Sequence, residues 1–260
     1  MRPPATFAAF VVRFASVLDF GQRVQLLSSV VRDATAEDLL SFLRDATRSA
    51  VARRHEALEA LLAWIVMSVT SGSPLGERER ELFRLAQLDG DPLLATLLQP
   101  PFPIVMDAPP AGRVLTAKDG RPLTLGERRW AARRGDRLLL DRLMADPDPG
   151  VTARLLRNPL LTESEAVRIA AWRPGRPDVL LEVLRCPRWA VRPGVQAALL
   201  RNPGLPVAVA TRLTLLLPLP KLREVLRDQE TPLLVRLACE RHLDVLGKRR
   251  KGVSSRRSPD

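Results

Sequence analysis

A chain of 260 residues with 46% hydrophobic content is long enough for two compact units with substantial cores. Its aromatic content is 4%, it has no tyrosine, and its apolar residues are mostly Leu, Ala and Val, the residues used where helices pack on helices. Alternating strand patterns are almost absent, so the expected class is all-α, and a net charge of +12 points to acidic partners.

Two cysteines, Cys186 and Cys239, lie far apart without metal-ligand spacing. This fits a reduced, cytoplasmic chain and argues against a cysteine-ligated metal. No cofactor is expected. Residues 1–20, MRPPATFAAFVVRFASVLDF, interrupt their apolar run with Arg13 and Asp19 and lack a small-x-small cleavage site, so they read as an amphipathic helix. The longest apolar segment, ALLAWIVMSVT at 60–70, is about half of a membrane span, so no span is expected.

In chain order, helices are predicted near 6–19 and 21–33, and a third from Thr35, where TAED supplies an N-cap and an acid at N3. A long fourth runs from about 51 to 70, apolar nearly all round through Leu58, Leu61, Leu62, Trp64, Ile65, Val66 and Met67, which belongs in the middle of a bundle. SGSP at 71–74 offers Ser73 as N-cap and Pro74 as first residue of a fifth. Residues 100–123 are proline-rich and read as a linker, with IVMD and RVLTA as short-strand candidates. From Thr124, TLGE opens a run of short helices punctuated by Asp-Pro, Asn-Pro and Arg-Pro, near 136–145, 149–158, 162–172, 177–186, 190–202, 206–217, 219–228 and 231–246. Residues 247–260 form a basic tail, expected to be disordered.

Within that run the phrase PGVTARLLRNP (149–159) returns as PGVQAALLRNP (193–203), 44 residues on. The copies place Val151, Thr152, Leu155 and Leu156, and likewise Val195, Gln196, Leu199 and Leu200, on one side of a helix. Asn158-Pro159 and Asn202-Pro203 then stop it, with Asn suited to a C-cap. A short two-helix unit buries its apolar face only by stacking on a neighbour, so each unit repeats the same ridge.

The text ADPDPGVTARLLRNPLLTESEAVRIAA resembles the leucine-rich repeat variant family, whose units read D-P-x-x-V-R-x-x-[LA]-[AL]-x-N-P-x-[LT]-P. The resemblance covers about 136–246 and fades after 220. It implies a HEAT-like right-handed helical solenoid and no catalytic residues. The expected architecture is therefore an N-terminal helical bundle (1–99), the linker (100–123), a short α-solenoid (124–246) and the tail (247–260).

No HExxH, GxSxG, Walker A or GxGxxG pattern is present. His55 reads as a polar-face residue, Asp146 and Asp148 as helix caps, and Cys186 as a small buried residue at a helix end. Trp130, Trp172 and Trp189 read as seam fillers, with base stacking as the alternative. Two features point to binding. Arg154, Arg157, Arg168, Arg173, Arg201 and Arg212 line up as a positive face if the helices stack, or as an ordinary solvated face. The tail carries Lys248, Arg249, Arg250 and Lys251. Four of the 41 basic residues are lysines, leaving 37 arginines; their planar forks suit carboxylate and phosphate, although arginine-rich coding gives the same composition.

The expectation is a non-enzymatic adaptor that binds another, acidic, protein on a helical-repeat surface. Its alternative is a nucleic-acid-binding protein using the arginine face and the tail. An enzyme site within 1–99 is the third, weaker reading.

Overall fold

The computed structural model describes residues 7–68, 78–99, 115–117 and 120–254, with side-chain surroundings as far as Gly247. The described residues are all-helical. They form α1 (Phe7–Ser16), α2 (Phe20–Asp33), α3 (Ala36–Val51), α4 (His55–Ser68), α5 (Arg78–Leu88) and α6 (Pro92–Leu98). Then follow α7 (Leu125–Arg134), α8 (Arg137–Leu143), α9 (Pro149–Leu156), α10 (Glu163–Ala171), α11 (Pro177–Leu184), α12 (Pro187–Ala190) and α13 (Pro193–Arg201). The last are α14 (Val207–Leu213), a 3-10 turn (Thr214–Leu216), α15 (Leu219–Arg227) and α16 (Leu233–Ser254). Ser73-Pro74, IVMD and the last six residues lie outside the described part. Of RVLTA, Leu115–Ala117 are described: Thr116 pairs with Pro122 in an isolated bridge, closed by a turn at Gly120 with φ 81°.

Chain contacts divide the molecule into two compact units, residues 1–102 with 207–260, and residues 103–206. This redraws the expected boundary, because the helices after 206 complete the N-terminal unit instead of extending the repeats. The physical reason is a set of buried polar ties. The Arg212 guanidinium, 2% exposed, pairs with Glu79 and donates to Gln99 O at 2.6 Å and Ser68 Oγ at 2.5 Å. Buried His242 on α16 meets Thr214 O at 3.0 Å through Nδ1, and Arg53 donates to Leu216 O at 2.5 Å.

At the centre of this unit is α4, buried on every side from Ala60 to Met67 and flanked by α1, α2, α3 and α14. The long helix expected from about 51 starts instead at His55: Val51 is the last residue of α3, and Arg53 between them takes φ 59°, a conformation that ends a helix. Phe7 and Phe10 pack edge-on against Phe42, with ring centroids 5.1 and 5.0 Å apart. α16 runs past the expected end at 246, so the backbone of 247–254 is helical and not irregular.

In the second unit the helices run in two layers. Asn158, just after α9, bonds carbonyls at the end of α7, so those helices are parallel. Trp189 Nε1, beyond α11, donates to Leu156 O at the end of α9 at 2.7 Å, which extends the layer to α7, α9 and α11. In the other layer, Arg137 at the start of α8 pairs with Glu165 at the start of α10 at 3.0 Å, and Arg192 before α13 faces Glu163 at 3.9 Å. That layer holds α8, α10 and α13.

The repeated phrase therefore has a different geometry from the one expected. The interval from Pro149 to Pro193 contains three longer helices (α9, α10, α11) and the short α12, and not a two-helix unit. The three longer helices alternate between the two layers and α12 is only a single-turn connection, so the next copy falls in the opposite layer. What the copies share is the asparagine. Asn202, φ −84° and ψ 115°, is extended and is no left-handed cap. Its Nδ2 donates to Ala170 O and Trp172 O, both at 2.9 Å, at the end of α10, as Asn158 Nδ2 donates to Ala132 O at 2.9 Å and Arg133 O at 3.1 Å at the end of α7.

Candidate functional site

The expected arginine face is not continuous. Arg212 is buried in the N-terminal unit, as described above, because its guanidinium is enclosed with Glu79 and a backbone carbonyl. Arg168 is exposed but ion-paired to Asp141 at 2.7 Å. Arg173 donates to Arg201 O at 2.7 Å, which ties both to the end of α13. The side chains of Lys248, Arg249, Arg250 and Lys251 lie outside the described part, while their backbone belongs to α16.

The structure does bring Arg154 and Arg157 together. With Arg133, Asn158 and Pro159 they line an open pocket of about 310 Å³ in the second unit. Each wall has a local cause. Thr124 and Glu127 form a capping box that starts α7, and Arg133 then falls in its last turn. Asp148 Oδ1 accepts from Val151 N at 2.9 Å and starts α9, so that Arg154 ends in the last turn and Arg157 is the C-cap. Asn158 joins the two helix ends, and its Oδ1 accepts from Leu160 N at 2.9 Å to turn the chain. Arg154 is held in place by a bond from Nη1 to Gly150 O at 2.7 Å, and its buried Nε has no partner.

No acidic residue lines this pocket, and among the described residues none of its three arginines pairs with a carboxylate. Eight other arginines of the unit behave otherwise. Arg121, Arg128, Arg129, Arg137, Arg168, Arg176, Arg185 and Arg192 each face an Asp or Glu within 4.0 Å. Asp146 is not the helix cap expected of it: it forms a buried pair with Arg128 at 2.5 Å and accepts from Asp148 N at 3.0 Å, while Asp148 caps α9 and meets Arg129 at 3.3 Å.

Arg133 was missed by sequence reading because α7 precedes the repeated phrase, so nothing in the text marked its last turn as a partner of 154–157. The tryptophans divide. Trp189 is a seam residue, 4% exposed, with the Arg188 guanidinium 4.3 Å above its ring. Trp130 and Trp172 are not seam fillers: they are 60% and 46% exposed. Trp130 lies one turn before Arg133 on α7, on the helix that supplies the pocket wall.

Other chemistry is sparse. Burial pushes the Cys186 thiol up, and burial with the nearby Glu240 pushes Cys239 up to about 12, so neither is primed as a nucleophile. His55 is exposed and 3.5 Å from Glu59. Among the described residues no three His, Cys, Asp or Glu side chains gather as a metal site, and no helix is long and apolar enough to cross a membrane. Compared with protein-family models, curated proteins and solved structures, the chain matches none of them.

Proposed function

We propose that the chain is a non-enzymatic, cytoplasmic adaptor that binds an acidic segment of a protein partner on its second unit, at Arg133, Arg154 and Arg157. The observation that carries this reading is the pocket's lining: three arginines and no acidic residue, in a unit where eight other arginines face carboxylates. Buried or clustered guanidinium groups left without counter-charge are stabilised by an incoming anion. Exposed Trp130 beside them supports the same surface, since Trp and Arg supply much of the binding energy at protein interfaces. The leucine-rich repeat variant resemblance and the two-layer helical stack agree with a repeat surface used for recognition.

A second reading, nucleic-acid binding, is favoured by the four adjacent basic residues Lys248–Lys251 on the helical end of α16. It relies less on the repeats, because Arg168 is paired and Arg212 is buried, which breaks the stripe a phosphate backbone would follow. Anisotropy with labelled duplex and single-stranded DNA over a salt series tests the choice. The adaptor reading predicts weak, steeply salt-dependent binding that disappears when the chain ends at Gly247 and ignores Arg154→Ala with Arg157→Ala. DNA binding that survives truncation and is lost with those two arginines would reverse it.

A further inference from the structure

We infer that the Arg133–Arg154–Arg157 pocket receives a phosphoryl group, carried on a serine or threonine of the partner; this rests on reading that face as the partner surface. Three arginines line a space of about 310 Å³. Two helices end there, since Arg133 is in the last turn of α7 and Arg157 caps α9. Each helix C-terminus contributes roughly half a negative charge, so the two offset about one of the three positive charges. About two positive charges remain. A phosphoryl group carries about −1.5 to −2 at neutral pH and three acceptor oxygens, whereas one carboxylate neutralises half of what is there.

One donor is also positioned in advance. Arg154 is fixed by its bond to Gly150 O, and the α7–α9 junction between the arginines is tied by the Asn158 amide. Eight other guanidinium groups of this unit are each met by a carboxylate, as with Arg168 and Asp141 at 2.7 Å or Arg185 and Glu182 at 2.6 Å. The pocket departs from that pairing in charge, and a dianion restores the balance.

The test uses the full chain and a fluorescein-labelled nonapeptide of Gly and Ala with a central phosphoserine, beside its Ser and Glu forms, in anisotropy titrations at physiological salt. The phosphoserine peptide is expected to bind about tenfold or more tighter than the Glu peptide, with the Ser peptide inert. Inorganic phosphate should displace it. Affinity should fall as pH drops from 7.5 through about 6, where the phosphoryl group loses its second charge. Arg154→Ala and Arg157→Ala should each abolish the preference, Arg157→Lys should weaken it by loss of the planar fork, and Arg142→Ala, outside the pocket, should leave it intact. Thermal melts show whether each variant is folded, and Arg157→Lys is the variant least able to disturb the fold. Equal affinity for the Glu and phosphoserine peptides, with dependence on Arg154, overturns the phosphoryl inference and leaves the adaptor reading standing. Failure of the phosphoserine peptide to bind, or binding indifferent to Arg154 and Arg157, overturns the inference as well.

Discussion

Asn158 and Asn202 occupy equivalent places in the two copies of the phrase and perform the same task. Each is almost fully buried, gives both amide hydrogens to carbonyls at the end of an earlier parallel helix, and accepts one backbone N–H with its oxygen. Aspartate would present negative oxygens to those carbonyls, and alanine would leave them without donors. Asn158→Ala is expected to cost about 2 kcal/mol, read as a shift in urea midpoint at unchanged slope. The same site forbids side chains nearby. A Cβ on Gly175 would stand 2.3 Å from Asn202 Oδ1, so Gly175→Ala should destabilise by about 1–3 kcal/mol, while Gly126→Ala, with nothing within 4 Å and inside α7, should be neutral or stabilising in the same melts. Sequence reading saw that the asparagines recur but assigned them to their own helix, because the partner carbonyls lie 25–26 residues upstream for Asn158.

At the scale of single helices, local text set the starts of α7 and α10. TLGE predicted the start of α7, and TESE makes a second capping box at α10, with Thr124 N donating to Glu127 Oε2 at 2.8 Å and Thr162 N to Glu165 Oε2 at 2.7 Å. The bond from Arg121, and those from Thr124, hold Glu127 down to about 2. Burial pushes Glu165 up, but its Thr162 bonds and the charges of Arg137 and Arg168 together leave it lowered. Both carboxyls are thus depressed in the folded chain, so the stability they add is present above the ordinary glutamate range and is lost as pH falls through the folded value. For Glu127 that loss extends to about pH 2. Amide NMR should show the Thr124 N–H signal moving near pH 2 and the Thr162 N–H signal moving below the ordinary glutamate value; titration of the Thr124 amide at an ordinary glutamate value would contradict the arrangement. The tryptophans show where local text runs out. Trp130, Trp172 and Trp189 all follow apolar or basic neighbours, and only the packing of parallel helices decides which one is enclosed.

For the whole molecule, the helical class and the central place of α4 were legible from apolar periodicity, whereas the division into units was not. The family resemblance, which covers about 136–246, suggested that helices after 206 continue the repeats. Arg212 shows why they do not, because it sits at the position equivalent to exposed Arg168 yet is buried against Glu79, Ser68 and Gln99. Burial lowers its proton affinity and Glu79 restores it in part, so removing one partner strands the other. Arg212→Ala is expected to cost about 3–5 kcal/mol in denaturant unfolding, the largest single loss among the arginines. The Gln99–Arg212 bond also places the chain's exit from this unit beside its return. Residues 1–102 and 207–260 joined by a short Gly/Ser linker are therefore expected to fold cooperatively with α-helical circular dichroism; a non-cooperative melt would contradict that.

The central claim is that the arginine pocket on the second unit holds a protein partner. Site-specific photocrosslinking in the native cell tests it most directly, with a photoreactive residue in place of Trp130 and, as a control, in place of exposed Leu88. A discrete adduct is expected from position 130 that resists nuclease, is destroyed by protease, disappears with Arg154→Ala and Arg157→Ala, and is absent from position 88. A nuclease-sensitive adduct, or one that persists without the two arginines, would contradict it.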